Sequence, residues 1–229
     1  MKKFFLNDEP DLEIFLRQNS NSRRITLRIS ALDGKITITG PNYLDLKEFK
    51  KFAESKKSWL KSKRQFFESP IFLSDGVEIP ILGIDTKISI GDVQKPEKID
   101  SILLVSRGKS VSTQVKRYLK ELAGVHLNYM CKEFAERLGA KVRKITLRDT
   151  RSRWGSCSND ANLMFSWRLV MAPEEVLAYV AAHEVAHLKH MNHSKDFWKT
   201  VEYLFGTYKE ERAWLKQNGS SLHRYKFEG

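Results

Sequence analysis

The sequence predicts an α+β fold, mostly β in its first half and mostly helical in its second. Apolar and polar residues alternate with a period of two over short runs before residue 110, and the period changes to that of a helix just after it. Punctuation agrees. Asp33-Gly34, Gly76, Gly83 and Gly91-Asp92 separate the β-like runs, whereas Gly108-Lys109-Ser110 and Gly139 bracket a long helical one. The predicted organisation is a mostly β region with one basic helix over residues 1–109 and a second domain over residues 110–229.

The elements follow in order. Residues 13–17, 24–29 and 35–39 read as strands, the last two joined by the Asp33-Gly34 hairpin signal, so a three-stranded meander is expected. Pro41-Asn42 ends it. Asp45 then caps a helix expected to run to about Phe67, with Phe49, Phe52, Ala53 and Leu60 on one side and Lys47, Lys50, Lys51, Lys57 and Lys61 around the other. Residues 77–82, 87–90 and 102–105 return to β. In the next segment Val115, Tyr118, Leu119, Leu122, Val125, Leu127, Met130 and Phe134 recur at helical spacing, and Gly139 reads as the C-cap. Two more β-like segments, 144–148 and 162–170, precede a helix opened by Pro173-Glu174-Glu175. Proline fits the first turn of a helix, and the two acids suit its positive end.

Composition excludes several classes. With 41% hydrophobic residues the chain is no disordered polymer. Its first residues, Met1 to Pro10, hold too short an apolar run for a signal peptide, and residues 176–188 are too short and too interrupted to span a membrane. Two cysteines, Cys131 and Cys157, make no disulfide framework, so a reducing cytoplasm is the expected compartment. The net charge of +12 admits an anionic partner such as nucleic acid. The excess is spread over both halves of the chain, which equally describes a basic, solvated surface.

The chemistry gathers at His183-Glu184-Val185-Ala186-His187. Histidines four apart share a helix face, so both imidazoles can bind one ion, and the glutamate between them points beside it as a candidate general base. A catalytic zinc needs three protein ligands and an open position. It lowers the pKa of a bound water to about 7 and polarises a carbonyl, which makes an amide open to attack. His193 is the candidate third ligand. A continued helix would carry it about 9 Å along the axis from His187, so the chain must turn back. Asn192 could supply the left-handed conformation for that turn, and Ser194 could cap the helix of Phe197, Trp198, Val201 and Leu204. Glu202 is the rival for the third position, and His190 reads as solvent-facing or supporting. His126 and His223 fall outside the constellation.

Further residues surround this motif: Arg153-Trp154-Gly155-Ser156-Cys157, Trp167-Arg168-Leu169, Ala172-Pro173, Tyr179-Val180, Met191-Asn192-His193-Ser194 and Phe197-Trp198. Together they resemble the YgjP-like metallopeptidases, a family of bacterial zincins, closely over the C-terminal half and more loosely over residues 12–105. The resemblance implies a zincin-like metallopeptidase domain with Zn2+ held by His183, His187 and His193, Glu184 as the catalytic base, and a peptide or protein as substrate. The metal helix is more distantly similar to SprT-like proteases, which implies an alternative, a protease acting on nucleic-acid-bound proteins. Val185 stands where leucine is usual in the family. For Arg153 two readings stand, one a hold on a substrate carboxylate or oxyanion, the other a structural pair with an acid such as Glu174. Trp154 and Gly155 read as core and turn, and Cys157 as a residue that could approach the metal. Oligomeric state leaves no mark on the sequence.

Overall fold

The structure is a computed structural model that describes residues 2–6, 9–30, 33–64 and 69–227. The chain forms two compact units, Met1–Pro70 and Ile71–Gly229. This division falls earlier than the boundary expected near residue 110. The reason is packing: Ile79, Ile81, Ile88, Leu103 and Val105 share one core with the helices that follow, so the second β-rich stretch belongs with them.

In the first unit, strands β1 (Lys2–Leu6), β2 (Glu9–Gln18), β3 (Thr26–Ile29) and β4 (Ile36–Gly40) form one sheet in the order β1-β2-β4-β3. The expected hairpin between β3 and β4 is present, closed by Gly34 at φ 66°. The expected meander is not. β4 lies between β2 and β3 and runs parallel to β2. Burial explains the order: β4 alternates buried Ile36 and Ile38 with half-buried threonines, whereas β3 alternates exposed and half-buried residues and suits an edge.

Asp45 caps α1 (Leu46–Ser55) through a reciprocal box, accepting the Glu48 N–H at 2.9 Å while the Glu48 carboxylate accepts its own at 3.2 Å. The single expected helix is broken at Lys56 into α1 and α2 (Lys57–Arg64), and its expected end near Phe67 lies outside the described residues. Phe49, Ala53 and Leu60 join the strands' Leu12, Ile14 and Ile38 in the core of this unit. On the lysine-rich face, Lys57 and Lys61 both pair with Glu9.

In the second unit, a sheet of order β6-β7-β9-β8 is built from β6 (Glu78–Ile81), β7 (Ile84–Gly91), β8 (Glu97–Ile99) and β9 (Ile102–Ser106). Its inward residues meet α3 (Val111–Leu138), capped by Ser110 and ended by Gly139 in the left-handed conformation. Val115, Leu119, Ala123, Leu127 and Cys131 recur every four residues along its fully buried stripe, while Val125 faces solvent. A three-stranded sheet follows in the order β10-β12-β11, from β10 (Lys144–Arg148), β11 (Gly155–Cys157) and β12 (Asn162–Ser166).

The β-like run expected to reach Val170 stops at Ser166. Residues Trp167–Met171 form a 3-10 turn, all of them buried. Complete burial removes the alternation that separates strand from helix in sequence. Then come α4 (Glu174–Ala186), α5 (Lys195–Phe205) and α6 (Lys209–Asn218), and finally β13 (Tyr225–Lys226) paired parallel to β5 (Ile71–Phe72). Arg168, only 8% exposed, ties the last residues to the core. It holds Asp149 with two bonds of 2.6 and 3.1 Å, donates to the carbonyls of Leu222 and Tyr225, and stacks on Trp167 and Phe227. No helix among the described residues is long and apolar enough to cross a membrane.

Candidate metal centre

The helix α4 is buried on nearly all sides, by Val176, Leu177, Val180, Ala181, Val185 and Ala186 among others. This fixes it against α3, α5 and β11, so the polar residues that it carries are held rather than mobile. α4 ends at His187. The next three amides, of Leu188, Lys189 and His190, bond back to Val185 and Ala186, and the chain reverses before Ser194 caps α5 by accepting the Phe197 N–H at 3.3 Å. The reversal does not use a left-handed Asn192. Its side-chain oxygen instead accepts the Ser194 N–H at 3.2 Å, an asparagine turn that needs no positive φ.

This reversal returns His193 to the helix. Ligand nitrogens of His183, His187 and His193 lie within 4.8 Å of one another, a group that could hold a metal ion. The Nε2 atoms of His183 and His193 stand 3.1 Å apart. His187 places Nδ1 2.9 Å from the His190 carbonyl, so Nδ1 donates the proton and Nε2 is left as a lone-pair ligand. His190 thus supports the site through its backbone. Glu202, the rival ligand, is exposed on α5 and outside the cluster.

Burial, then the neighbouring charges of His187, His193 and Arg212, push His183 down to about 3. Burial also lowers His187. Both are therefore neutral near pH 7, the form that binds a metal. Phe197 packs against all three rings at 4.5 to 4.9 Å between centroids, and Trp198 lies 5.7 Å from His183 and from His193. Aromatic walls fix the imidazoles on this side, while His193 itself remains open to solvent.

Glu184 is 5% exposed, and its Oε2 has no hydrogen-bond partner. Burial pushes its carboxyl up to about 8 against the opposing charge of Arg153. Its side chain lies directly on Gly155 of β11. A Cβ at that position would meet Glu184 Cγ at 2.5 Å and Cδ at 2.7 Å, with Oε1 in the same place. Gly155 is thus a strand residue whose missing side chain admits the carboxyl, not the turn that the sequence suggested. Trp154 stands behind it, against Gly219 and 5.5 Å from the ring of His223, and so binds the site strand to the C-terminal segment.

Arg153 is exposed, and Glu174, its suggested structural partner, pairs instead with His126 at 3.3 Å. Cys157 does not join the histidine group. Burial and the Glu184 charge push its thiol up to about 11, and those of Cys131 to about 12, so both stay protonated and unreactive. The sequence placed Tyr179 among the residues around the motif without a role, and it lies one turn before His183 with their rings 6.0 Å apart; Arg212 on α6, whose charge reaches His183, was not singled out. For Tyr179 the signals were its place in the Tyr179-Val180 segment and its four-residue spacing from His183.

Three imidazoles able to share an ion, beside a buried carboxyl in an α+β fold, are the parts common to metal-dependent hydrolases. Comparison with known proteins is more particular. A YgjP-like, metallopeptidase domain matches residues 23–218, and the chain belongs to the YgjP-like metallopeptidase family. One solved structure, the crystal structure of the metallopeptidase zymogen of Pyrococcus abyssi abylysin, is similar at 21% identity. The match covers 43% of this chain and 97% of that one, with a TM-score of 0.37. Among curated proteins nothing matches.

Proposed function

We propose that the protein is a zinc-dependent metallopeptidase that hydrolyses peptide bonds, with His183, His187 and His193 as metal ligands and Glu184 as general base. The convergence of the three histidine nitrogens carries this reading. The donor set fits the ion. Tetrahedral zinc with nitrogen bonds of about 2.0–2.1 Å sets its ligands roughly 3.3 Å apart, and the His183–His193 pair stands at 3.1 Å. Two of the imidazoles are held neutral, and one has its tautomer fixed by a carbonyl. A nitrogen-only set of this kind, with the exposed His193 leaving one side open, suits zinc better than the hard oxygen-seeking cations.

When bound, zinc supplies Lewis acidity, lowering the pKa of water and polarising the scissile carbonyl. The remaining work falls to the protein's own groups. In its ionised form, which a bound cation and the charge of Arg153 would favour against burial, Glu184 takes one proton of the attacking water at the buried, unpartnered Oε2. The hydroxide portion bonds to the carbonyl carbon, the C–N bond breaks, and Glu184 gives the proton to the leaving amine. The carboxyl returns to its starting state. Gly155 keeps it in place from below, and Arg153 places a positive charge close enough to act on it.

Glu184→Gln tests the assignment. It should keep one zinc per chain by metal analysis and lose nearly all hydrolysis of casein. Undiminished hydrolysis would remove Glu184 from the role of base.

A further inference from the structure

The aromatic wall of the metal centre does not end at the histidines. Trp198 continues it outward, stacked on Tyr208 at 5.1 Å between centroids, and Tyr208 stacks in turn on Tyr179 at 5.8 Å. The guanidinium of Arg212 lies over the Trp198 ring, 5.0 Å from its centroid. One aromatic ring therefore separates this cation from His183 and His193, and its charge is among those that act on His183.

Three properties of Arg212 go beyond packing. It is exposed to solvent. It makes no ion pair among the described residues. Glu210 and Glu211 precede it on α6, but side chains adjacent in a helix do not face one another. Lying over the indole also restricts where the guanidinium can go, so its N–H donors lose less freedom when they meet a ligand. Trp198 is already packed by Phe197, Tyr208 and two histidines, and a charged fork adds nothing that its packing needs.

We propose that Arg212, oriented by Trp198, forms a carboxylate-binding subsite beside the three histidines, so that the favoured peptides carry an acidic group close to the bond presented to the metal centre. This rests on the metallopeptidase reading for the identity of the ligand as a peptide. A planar guanidinium matches a carboxylate with two parallel hydrogen bonds, a geometry that lysine cannot reproduce. The acidic group is a Glu or Asp side chain or the free C-terminus of the peptide.

The test uses binding, which needs no turnover. Zinc-loaded Glu184→Gln full-length protein is titrated with fluorescent octapeptides of one sequence, bearing a central Glu or Gln and a free or amidated C-terminus, and read by anisotropy. One acidic form should bind about tenfold tighter than its neutral counterpart, with the advantage shrinking at high salt. A preference that follows the central Glu names the side chain, and one that follows the free terminus names the chain end. Adding Arg212→Gln should bring the ratio to about one, Arg212→Lys should keep part of it, and Arg153→Gln should keep it. Equal affinities, a ratio untouched by Arg212→Gln, or a ratio lost with Arg153→Gln instead overturns the subsite. Matching melting curves exclude misfolding of the Arg212 variants. Casein hydrolysis by the unmodified protein tests the peptidase reading separately: no cleavage alongside Arg212-dependent binding would sink that reading and leave the subsite standing.

Discussion

Replacing Gly155 with alanine puts a methyl group where the Glu184 side chain already lies. The backbone at Gly155 is outside the left-handed region, so alanine can adopt it and the perturbation is purely one of contact. The new carbon would sit 2.5 Å from Cγ and 2.7 Å from Cδ, whereas ordinary contact begins at 3.4 Å. Relief requires the carboxyl, or β11, to move by about 1 Å. A displacement of that size at a catalytic group costs on the order of a hundredfold in rate. The overpacking itself should cost about 1–3 kcal/mol, or roughly 2–10 °C in Tm for a unit of this size. The assay is kcat on a peptide substrate beside zinc content and Tm. We expect kcat to fall about a hundredfold while zinc stays stoichiometric, because the three atoms nearest the new carbon all belong to Glu184. A kcat within twofold of the unmodified protein would refute the claim that this contact places the proposed base. Zinc lost in proportion to activity would refute it too, by showing that the change spreads to the metal ligands.

Other outcomes follow from the same geometry. His193→Ala should lose zinc by metal analysis and Glu202→Ala should keep it; the reverse would move the third ligand to the carboxylate. Asp149→Asn leaves the nearly buried Arg168 without its counter-charge, which should lower stability by about 2–3 kcal/mol in urea unfolding; an unchanged midpoint would reduce that pair to decoration. His223 is held down to about 4 by burial and then by the charge of Arg168. A histidine with a lowered folded pKa resists the proton that the unfolded chain accepts, so stability is complete above pH 6.5 and falls as pH drops from 6.5 towards 4. His223→Gln should flatten that part of the profile by on the order of 2–3 kcal/mol, measured on metal-free protein. A slope identical to that of the parent would remove His223 as its source.

How far sequence reached depends on how local the cause was. α3 with its Gly139 cap, α4 behind Pro173, and the Ser194 cap were legible because periodicity and capping act within a few residues. The pair His183 and His187 was legible for the same reason, and His193 because a continued helix would have carried it away. The order of the first sheet was not legible. Placing β4 between β2 and β3 is decided by which strand is the more deeply buried, a contest between distant segments. The 3-10 turn at Trp167–Met171 was hidden by burial on every side. Gly155 looked like a turn because glycine usually signals backbone freedom, whereas here it marks the close approach of a side chain almost thirty residues further on. Arg168 was part of a recognised motif, yet its partners Asp149, Leu222 and Tyr225 could be named only in three dimensions.

The bond from His187 Nδ1 to the carbonyl of His190 has a broader implication. The group that orients this imidazole is part of the peptide backbone, and every amino acid provides the same carbonyl. Position 190 can therefore drift freely in evolution without disturbing the ring, provided that the reversal after α4 keeps its length. Insertion or deletion between residues 187 and 193 would be felt at once by two of the three imidazoles. In this stretch selection should act on loop length more strongly than on side-chain identity.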